Sequence, residues 1–309
     1  MKVFRERILS MVTEQLRKEL PGKIRDIDLS CFTTWAIGGR AAAAFPETPG
    51  QLSSLLSRSE LLGIPWTILG KGSNTLAPSQ GWPGLVIILS GNFTRYSFSG
   101  TLLHAGAAAP LPSIAGAACC SGLGNLSFAA GIPGSLGGAV FMNAGAYGSS
   151  ISDFVVEVSA LSPDGQIKIL SREGCSFEYR TSIFQSSRDV ITGAVMALKY
   201  SDSHALRARA REVLELRRGK FPLKMPNAGS VFRKPANGIP PGKLIEDAGL
   251  KGASVGGARV SALHANFIEN CGGATSDDVI RLIRMVQKRV EAFSGILLEP
   301  EIRVLGEEL

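Results

Sequence analysis

Residues 131–148 read GIPGSLGGAVFMNAGAYG, and no other segment of the chain constrains its architecture as strongly. Glycine and alanine fill half of these positions, so the segment offers too little apolar surface for a core and instead permits close approach of the backbone to a ligand. A second glycine turn, LGKGSN at residues 69–74, follows an apolar run. Glycines after a strand let backbone N–H groups approach a phosphate, although Thr75 rules out a GxGxxG fingerprint and the turn is not a Walker A loop. Either segment alone is also typical of an ordinary turn.

The composition indicates a globular enzyme of two domains. The chain has 309 residues, of which 45% are hydrophobic, and this is enough for a sizeable core. A charged fraction of 19% and 36 glycines argue against a coiled coil or a disordered chain. No apolar run approaches the roughly 20 residues that span a bilayer. Residues 1–20 mix charged residues with apolar ones at helical spacing, which predicts an amphipathic helix and no signal peptide.

Cysteine and histidine usage predicts neither a disulfide framework nor a metal site. The five cysteines are odd in number, Cys119 and Cys120 are adjacent, and the three histidines lack metal-ligand spacing. A reducing cytoplasm is the expected location. The net charge of +7 would suit nucleic acid, a membrane surface or small anions. The densest basic stretch, residues 207–220, is interrupted by Glu212 and Glu215 and has few aromatics nearby, so we expect a solvated helix face and neither a nucleic-acid nor a membrane partner.

The distribution of short strands and helices predicts an α+β fold and no regular βαβ series. The strand-like runs lie at residues 66–69, 85–89, 155–158 and 195–198, and helical patterns lie at 48–62 and 111–121. A break at residues 200–202 suggests a domain boundary. Beyond it we expect the basic helix, a short helix from Lys243, a long helix over 277–293 capped by Thr275 or Ser276 and ending near Gly295, and a strand over 296–305.

Three further motifs carry chemically useful side chains. They are YRTSIF at residues 179–184, PNAGSVFRKP at residues 226–235 and EPEIR at residues 299–303. By themselves Arg180 could be a surface arginine and Ser230 a turn serine that satisfies its own loop. Alternation along the last motif places Glu299, Glu301 and Arg303 on one face, and periodicity alone does not choose between the two glutamates.

Taken together, these motifs and the two glycine segments resemble the UDP-N-acetylenolpyruvoylglucosamine reductases, from about Thr33 to Leu305. The resemblance implies a two-part FAD-binding domain of the vanillyl-alcohol-oxidase/PCMH type over residues 1–200, with a helix at 1–20 and subdomains at about 30–95 and 96–200. A smaller α+β substrate-binding domain would follow over residues 201–309, its C-terminal strand carrying a catalytic glutamate. The short spacing between Arg180 and Ser230 is similar to the subtype that lacks an inserted substrate-covering segment.

The resemblance also implies roles for individual residues. Matching the family's Glu-x-Arg pattern selects Glu301, which joins Arg180 and Ser230 as the catalytic residues. Lys234 departs from the asparagine that is usual before the proline of the serine loop. The implied substrate contacts are Tyr179, Lys220, Asn227 and Arg303, and the implied FAD contacts are Gly70, Lys71, Gly72, Ser73, Asn74, Thr75, Gly131, Ile132, Pro133, Gly134, Ser135, Gly138, Asn143, Ala144, Gly145 and Tyr147.

The implied activity is reduction of UDP-N-acetylglucosamine enolpyruvate to UDP-N-acetylmuramate with FAD and NADPH, in a monomeric cytoplasmic enzyme of peptidoglycan precursor synthesis. The flavin would pass a hydride to the β-carbon, and Ser230 would give a proton to the α-carbon. Two alternatives stay open: an FAD-dependent oxidase of a small alcohol or phenol, and a non-catalytic protein that binds flavin or a nucleotide sugar.

Overall fold

A small mixed sheet forms the first part of the computed structural model, which describes Glu14, Lys18, residues 24–236 and residues 238–306. The expected N-terminal helix at residues 1–20 lies outside the described residues apart from Glu14 and Lys18. The elements of the first part are β1 (Ile24–Asp28), β2 (Arg40–Ala44), α1 (Pro49–Leu61), β3 (Trp66–Ile68), β4 (Thr75–Leu76) and β5 (Leu85–Ile87). The sheet order is β1-β2-β5-β3, with β2, β5 and β3 parallel. The glycine turn at residues 69–74 therefore leaves the carboxyl end of a parallel strand.

A five-stranded antiparallel sheet forms the second part. Its strands lie in the order Ile167–Ser171, Val155–Leu161, Val190–Ala197, Leu102–Gly106 and Tyr96–Ser99, which is β11-β10-β12-β7-β6. The helices of this part share a core with residues such as Leu103, Val158 and Met196. Ser135 starts the helix within the long glycine segment by accepting a hydrogen bond from the Gly138 N–H. The elements are β6 (Tyr96–Ser99), β7 (Leu102–Gly106), α2 (Leu111–Cys120), α3 (Leu136–Phe141), β8 (Gly145–Ala146), β9 (Ser149–Ser150), β10 (Val155–Leu161), β11 (Ile167–Ser171) and β12 (Val190–Ala197).

The remaining elements include a long amphipathic helix. They are α4 (Ser203–Lys220), α5 (Pro241–Asp247), β13 (Ser254–Val255), β14 (Ala258–Val260), β15 (Ile268–Asn270), α6 (Ser276–Ser294) and β16 (Arg303–Val304). A capping box between Thr275 and Asp278 starts α6, and left-handed Gly295 ends it. The core under α6 also takes in Trp35 and Leu76 from the first part of the chain. The C-terminal elements are therefore packed directly against the N-terminal ones.

The predicted elements are present near their expected positions, but the C-terminal strand is shorter than expected and five strands of the two larger sheets, β1, β2, β6, β7 and β11, were not predicted. The strand expected over residues 296–305 is reduced to β16, because only Arg303 and Val304 find regular partners, in β4. Upstream of β16, Pro300 forms an isolated antiparallel bridge with Phe232, and proline brings no N–H group to extend it. The fold class, α+β, is confirmed. The boundary expected after residue 200 stays a prediction; a methyl group at Gly131 would meet Val213 and Arg217 of α4, so α4 packs against the second part.

Within the described residues, no helix combines the length and apolar character that a membrane crossing requires. No group of three histidine, cysteine or acidic side chains among them is arranged to hold a metal ion.

Candidate active site

A cavity of ≈ 1490 Å³ lies where the three parts of the fold meet. Its walls include the whole turn after β3, the start of α3, the end of α4 and the segment before β16. Sites for a single small molecule usually measure roughly 300–1,000 Å³. This cavity therefore has room for a cofactor and a second ligand together.

The two glycine segments lie next to each other in the wall of this cavity. The Ser73 hydroxyl donates a hydrogen bond to the Pro133 carbonyl at 2.9 Å, and a methyl group at Gly70 would lie 3.0 Å from the Ser135 hydroxyl oxygen. Of the backbone N–H groups from Gly70 to Ser73, none donates a hydrogen bond to a described residue. A row of unbonded N–H groups next to a close glycine approach fits the pyrophosphate of a dinucleotide cofactor.

Arg180 reaches into the cavity from an unusual backbone conformation. Its φ of 58° is left-handed, which is uncommon for a residue with a side chain. The Gln185 side-chain amide donates to the Arg180 carbonyl at 2.9 Å and holds this turn. The Arg180 guanidinium donates to a Glu301 carboxylate oxygen at 3.0 Å and to the Gly145 carbonyl at 2.9 Å. The arginine is thereby fixed between the long glycine segment and the C-terminal segment.

Hydrogen bonds to both the N–H and the carbonyl of Glu301 fix its position. Its N–H donates to the Val231 carbonyl at 2.7 Å, and its carbonyl accepts from the Asn74 side chain at 3.1 Å. The glutamate therefore lies between the serine loop and the first glycine turn. Burial raises the pKa of Glu301, and the positive charges of Arg180 and Arg233 only partly oppose this shift. The carboxyl group holds its proton to a higher pH than an exposed glutamate does.

Hydrogen bonds hold the backbone of the serine loop, whereas the Ser230 hydroxyl is not hydrogen-bonded to any described residue. Asn227 donates to the Pro222 and Met225 carbonyls and accepts from the Gly229 N–H, and Gly229 supplies a φ of 77° that suits glycine. The Ser230 hydroxyl lines the cavity and makes no hydrogen bond to any residue within 24–236 or 238–306. The hydroxyl group is thus held in place and free to engage a ligand.

Basic residues outnumber acidic ones on the cavity wall, where the acidic residues are Asp189, Glu212, Glu215 and Glu301. Lys71, Lys220 and Arg303 line it, as does Arg217, whose guanidinium lies 5.0 Å from the centre of the Phe221 ring. Burial lowers the pKa of Arg217. A wall of this kind suits a ligand with several negative charges.

Most residues expected from the sequence meet in this one cavity. Those that line it are the three catalytic candidates with Lys220 and Arg303, together with Gly70, Lys71, Gly72, Ser73, Asn74, Thr75, Ile132, Pro133, Gly134, Ser135, Gly138, Ala144, Gly145 and Tyr147. Gly131, Asn143, Tyr179 and Asn227 are not part of its lining. Asn143 instead donates to the Glu178 carbonyl and accepts from the Ser152 N–H. The centre of the Tyr179 ring lies 5.2 Å from the guanidinium carbon of Arg180. Lining the cavity is not a ligand contact, so the contacts expected of all these residues stay predictions.

Sequence reasoning missed the residues that support the site. Asn266 accepts from the Phe232 N–H and donates to the Phe232 carbonyl, both at 2.9 Å, and so fixes the segment that follows Ser230. Gln185 holds the Arg180 turn, and Arg217 joins the cationic wall. Asn266 binds backbone groups 34 residues away, and Gln185 also donates to the Phe141 carbonyl, 44 residues away. No local pattern signals such contacts.

Comparisons with known proteins agree with this geometry. Residues 41–171 match the family model of an FAD binding domain, and residues 221–305 match the C-terminal domain of UDP-N-acetylenolpyruvoylglucosamine reductase. The UDP-N-acetylenolpyruvoylglucosamine reductase of Heliobacterium modesticaldum is 42% identical over 295 residues, 95% of this chain and 94% of that protein. That of Pediococcus pentosaceus is 43% identical over 281 residues, 91% of this chain and 93% of the relative.

A solved structure extends the agreement to the fold. The UDP-N-acetylenolpyruvylglucosamine reductase of Thermus caldophilus superimposes with a TM-score of 0.80 at 33% identity, covering 91% of this chain and 98% of that one. Fold and site together define an FAD-containing oxidoreductase with an N-terminal flavin domain and a smaller C-terminal domain. The chain belongs to the UDP-N-acetylenolpyruvoylglucosamine reductase family, whose reaction is a step of peptidoglycan precursor synthesis.

Proposed function

We propose that this enzyme uses NADPH to reduce UDP-N-acetylglucosamine enolpyruvate to UDP-N-acetylmuramate. The observation that carries the proposal is the meeting of Arg180, Ser230 and Glu301 in one cavity beside the two glycine segments. The flavin, when bound, takes electrons from NADPH and supplies a hydride to the substrate. Gly70 to Ser73 would hold its pyrophosphate through their unbonded N–H groups.

Arg180 and Glu301 stabilise the negative charge that develops on the substrate. A hydride added to the terminal β-carbon breaks the C=C π bond and leaves an enolate that extends onto the carboxylate. Arg180 is the cation beside that carboxylate, and its bonds to the Gly145 carbonyl and to Glu301 fix its direction. Glu301, whose pKa is raised by burial, donates a hydrogen bond to the enolate in its protonated form.

Ser230 completes the reaction by giving a proton to the α-carbon. The O–H bond breaks as the new C–H bond forms, so the enol ether becomes a saturated lactyl ether. A serine hydroxyl is a weak acid, but a carbanion is a strong base, and the rigid Asn227 loop holds the donor in place. Lys220 and Arg303, on the cationic wall, are the proposed contacts of the substrate diphosphate and carboxylate.

The test separates the two halves of the reaction in Ser230→Ala. We expect NADPH to bleach the flavin at the wild-type rate, because Ser230 has no part in that step. Re-oxidation by the enolpyruvyl sugar should slow about 10²–10⁴-fold, the usual contribution of a general acid. Stopped-flow absorbance under anaerobic conditions measures both rates.

Ser254→Ala is the matched control, because Ser254 is exposed on β13 and is absent from the cavity lining. A Ser230→Ala enzyme that re-oxidises at the wild-type rate would contradict the role of Ser230. Wild-type protein whose reduced flavin ignores the enolpyruvyl sugar and reacts with oxygen alone would contradict the proposed substrate.

A further inference from the structure

Three side chains form a compact cluster at the start of β3. The Trp66 indole N–H donates to one Glu60 carboxylate oxygen at 2.6 Å, and the Arg188 guanidinium donates to the same oxygen at 2.7 Å. The Arg188 guanidinium carbon also lies 5.1 Å from the centre of the Trp66 ring. Hydrogen bonds from the Trp66 N–H and, to a smaller extent, from Arg188 hold the pKa of Glu60 below its usual range. The ionised Glu60 carboxylate therefore binds both the indole and the guanidinium. Arg188 adopts a left-handed φ of 57° at this position.

Trp66 and Arg188 both line the cavity of the candidate active site. Every residue from Trp66 to Thr75 contributes to the cavity wall. Asn74, at one end of this run, binds the Glu301 carbonyl. Trp66 lies at the other end, beyond an extended strand that rises roughly 3.3 Å per residue.

A second stretch of the chain contributes to the same cavity. Arg180, Gln185 and the segment from Arg188 to Ile191 all line the cavity. A dinucleotide whose reacting ring lies beside Glu301 and whose pyrophosphate lies at Gly70–Ser73 therefore extends toward Trp66.

We propose that Trp66 and Arg188 form the binding site for the adenine ring of the flavin dinucleotide, with Glu60 as a positioning residue that orients both. The inference rests on the proposed flavin chemistry, because adenine is one end of that cofactor. Aromatic rings and the guanidinium plane of arginine both stack on nucleobases. The polar edge of the pair is already bonded to Glu60, so stacking is the interaction left for a ligand. Trp66 continues directly into the first glycine turn, whereas the substrate candidates come from residues 179–180, 220–230 and 301–303, which favours the cofactor's ring over that of the substrate.

The test compares the dissociation constants of FAD and of FMN, which lacks the adenosine half, after removal and re-addition of the flavin. In Trp66→Ala we expect FAD to bind about tenfold or more weakly, the usual effect of losing one base-stacking aromatic. FMN affinity should stay within about twofold of wild type, since FMN does not reach Trp66. Arg188→Gln should have the same selective effect, and Trp66→Phe should retain most of the FAD affinity.

The control is Arg218→Gln, which removes an exposed arginine paired with Glu215 and outside the cavity lining. Equal weakening of FAD and FMN in the variants would mean a structural defect and would overturn the proposal, as would unchanged FAD affinity. A raised KM for the UDP sugar with FAD binding intact would assign the pair to the substrate's uracil and overturn it too. Wild-type protein that binds neither flavin would instead overturn the proposed function itself.

Discussion

Glu301 is subject to two opposing effects, and their balance sets the chemistry of the site. Its side chain is only 16% exposed, which favours the neutral acid. Its ion pair with Arg180 favours the charged carboxylate, yet the net pKa is raised above the ordinary value of 4.5. A protonated Glu301 can donate a hydrogen bond to an enolate, whereas an ionised one would repel it.

This balance predicts a pH dependence of stability. A folded-state pKa above 4.5 means that the folded protein binds more protons than the unfolded chain as the pH rises through 4.5 toward that pKa. The contribution of Glu301 to stability is then full below pH 4.5 and is lost as the pH passes the folded-state pKa. Relative to Glu301→Gln, wild-type protein should lose free energy of unfolding over this window. Urea denaturation of both proteins at a series of pH values, with equal FAD, measures the difference.

The comparison with Glu301→Gln cancels the titration of all groups away from this site. A wild-type protein that gains stability over the variant with rising pH would show that the Arg180 ion pair dominates and that the pKa is lowered.

The glycine turn after β3 is the element that depends most on backbone geometry. Gly72 has a φ of 62°, and a methyl group there would lie 2.1 Å from the Phe32 carbonyl oxygen. Any side chain at Gly72 must displace the turn and with it the N–H groups proposed to hold the pyrophosphate.

Gly72→Ala should therefore weaken FAD binding about tenfold or more, because hydrogen bonds to a charged group contribute about 1.5–3 kcal/mol each. Gly63→Ala is a matched control: Gly63 has the same φ of 62°, but no atom lies within 4 Å of an added methyl group. We expect this control to lose about 1 kcal/mol of stability from backbone strain and to keep its FAD affinity. Flavin titration followed by fluorescence measures both. Equal loss of affinity in the two variants would show that left-handed strain matters, and not the contact with Phe32.

Elements could be predicted from the sequence where their signals are local. The helix expected over 48–62 is Pro49–Leu61 with Thr48 as its cap, because the cap, the proline and the apolar spacing all lie within one segment. The strand expected over 296–305 failed because its pairing depends on partners at Phe232 and in β4 that no local pattern reveals. Likewise, the glycine segments and the Arg180, Ser230 and Glu301 motifs could be found by resemblance. The order of the strands and the contact between Trp66 and Arg188 could not be predicted in this way. A tryptophan at the start of a strand is expected to be a core residue.

At the scale of the whole molecule, one buried residue joins the first and last parts of the fold. Trp35 has no exposed surface, packs in the core under α6, and donates its indole N–H to the Ile268 carbonyl at 2.8 Å. The Asn270 side chain in turn donates to the Trp35 carbonyl at 3.0 Å. The active site spans the same junction, because its glycine turn comes from the N-terminal part and its serine and glutamate from the C-terminal part.

Because Trp35 packs and bonds across this junction, we expect the two parts to unfold together. Trp35→Ala should lower the free energy of unfolding by about 3–5 kcal/mol, the usual cost of emptying a large aromatic site in a core. Trp35→Phe, which keeps a ring but loses the bond to Ile268, should cost less. Urea unfolding would be followed both by flavin release and by far-UV circular dichroism, and we expect the two transitions to coincide and to shift together in each variant. If flavin release in Trp35→Ala kept its wild-type midpoint while the circular dichroism transition moved, the flavin domain would be stable independently. The C-terminal part would then contribute only side chains to the reaction, and not the stability of the cofactor site.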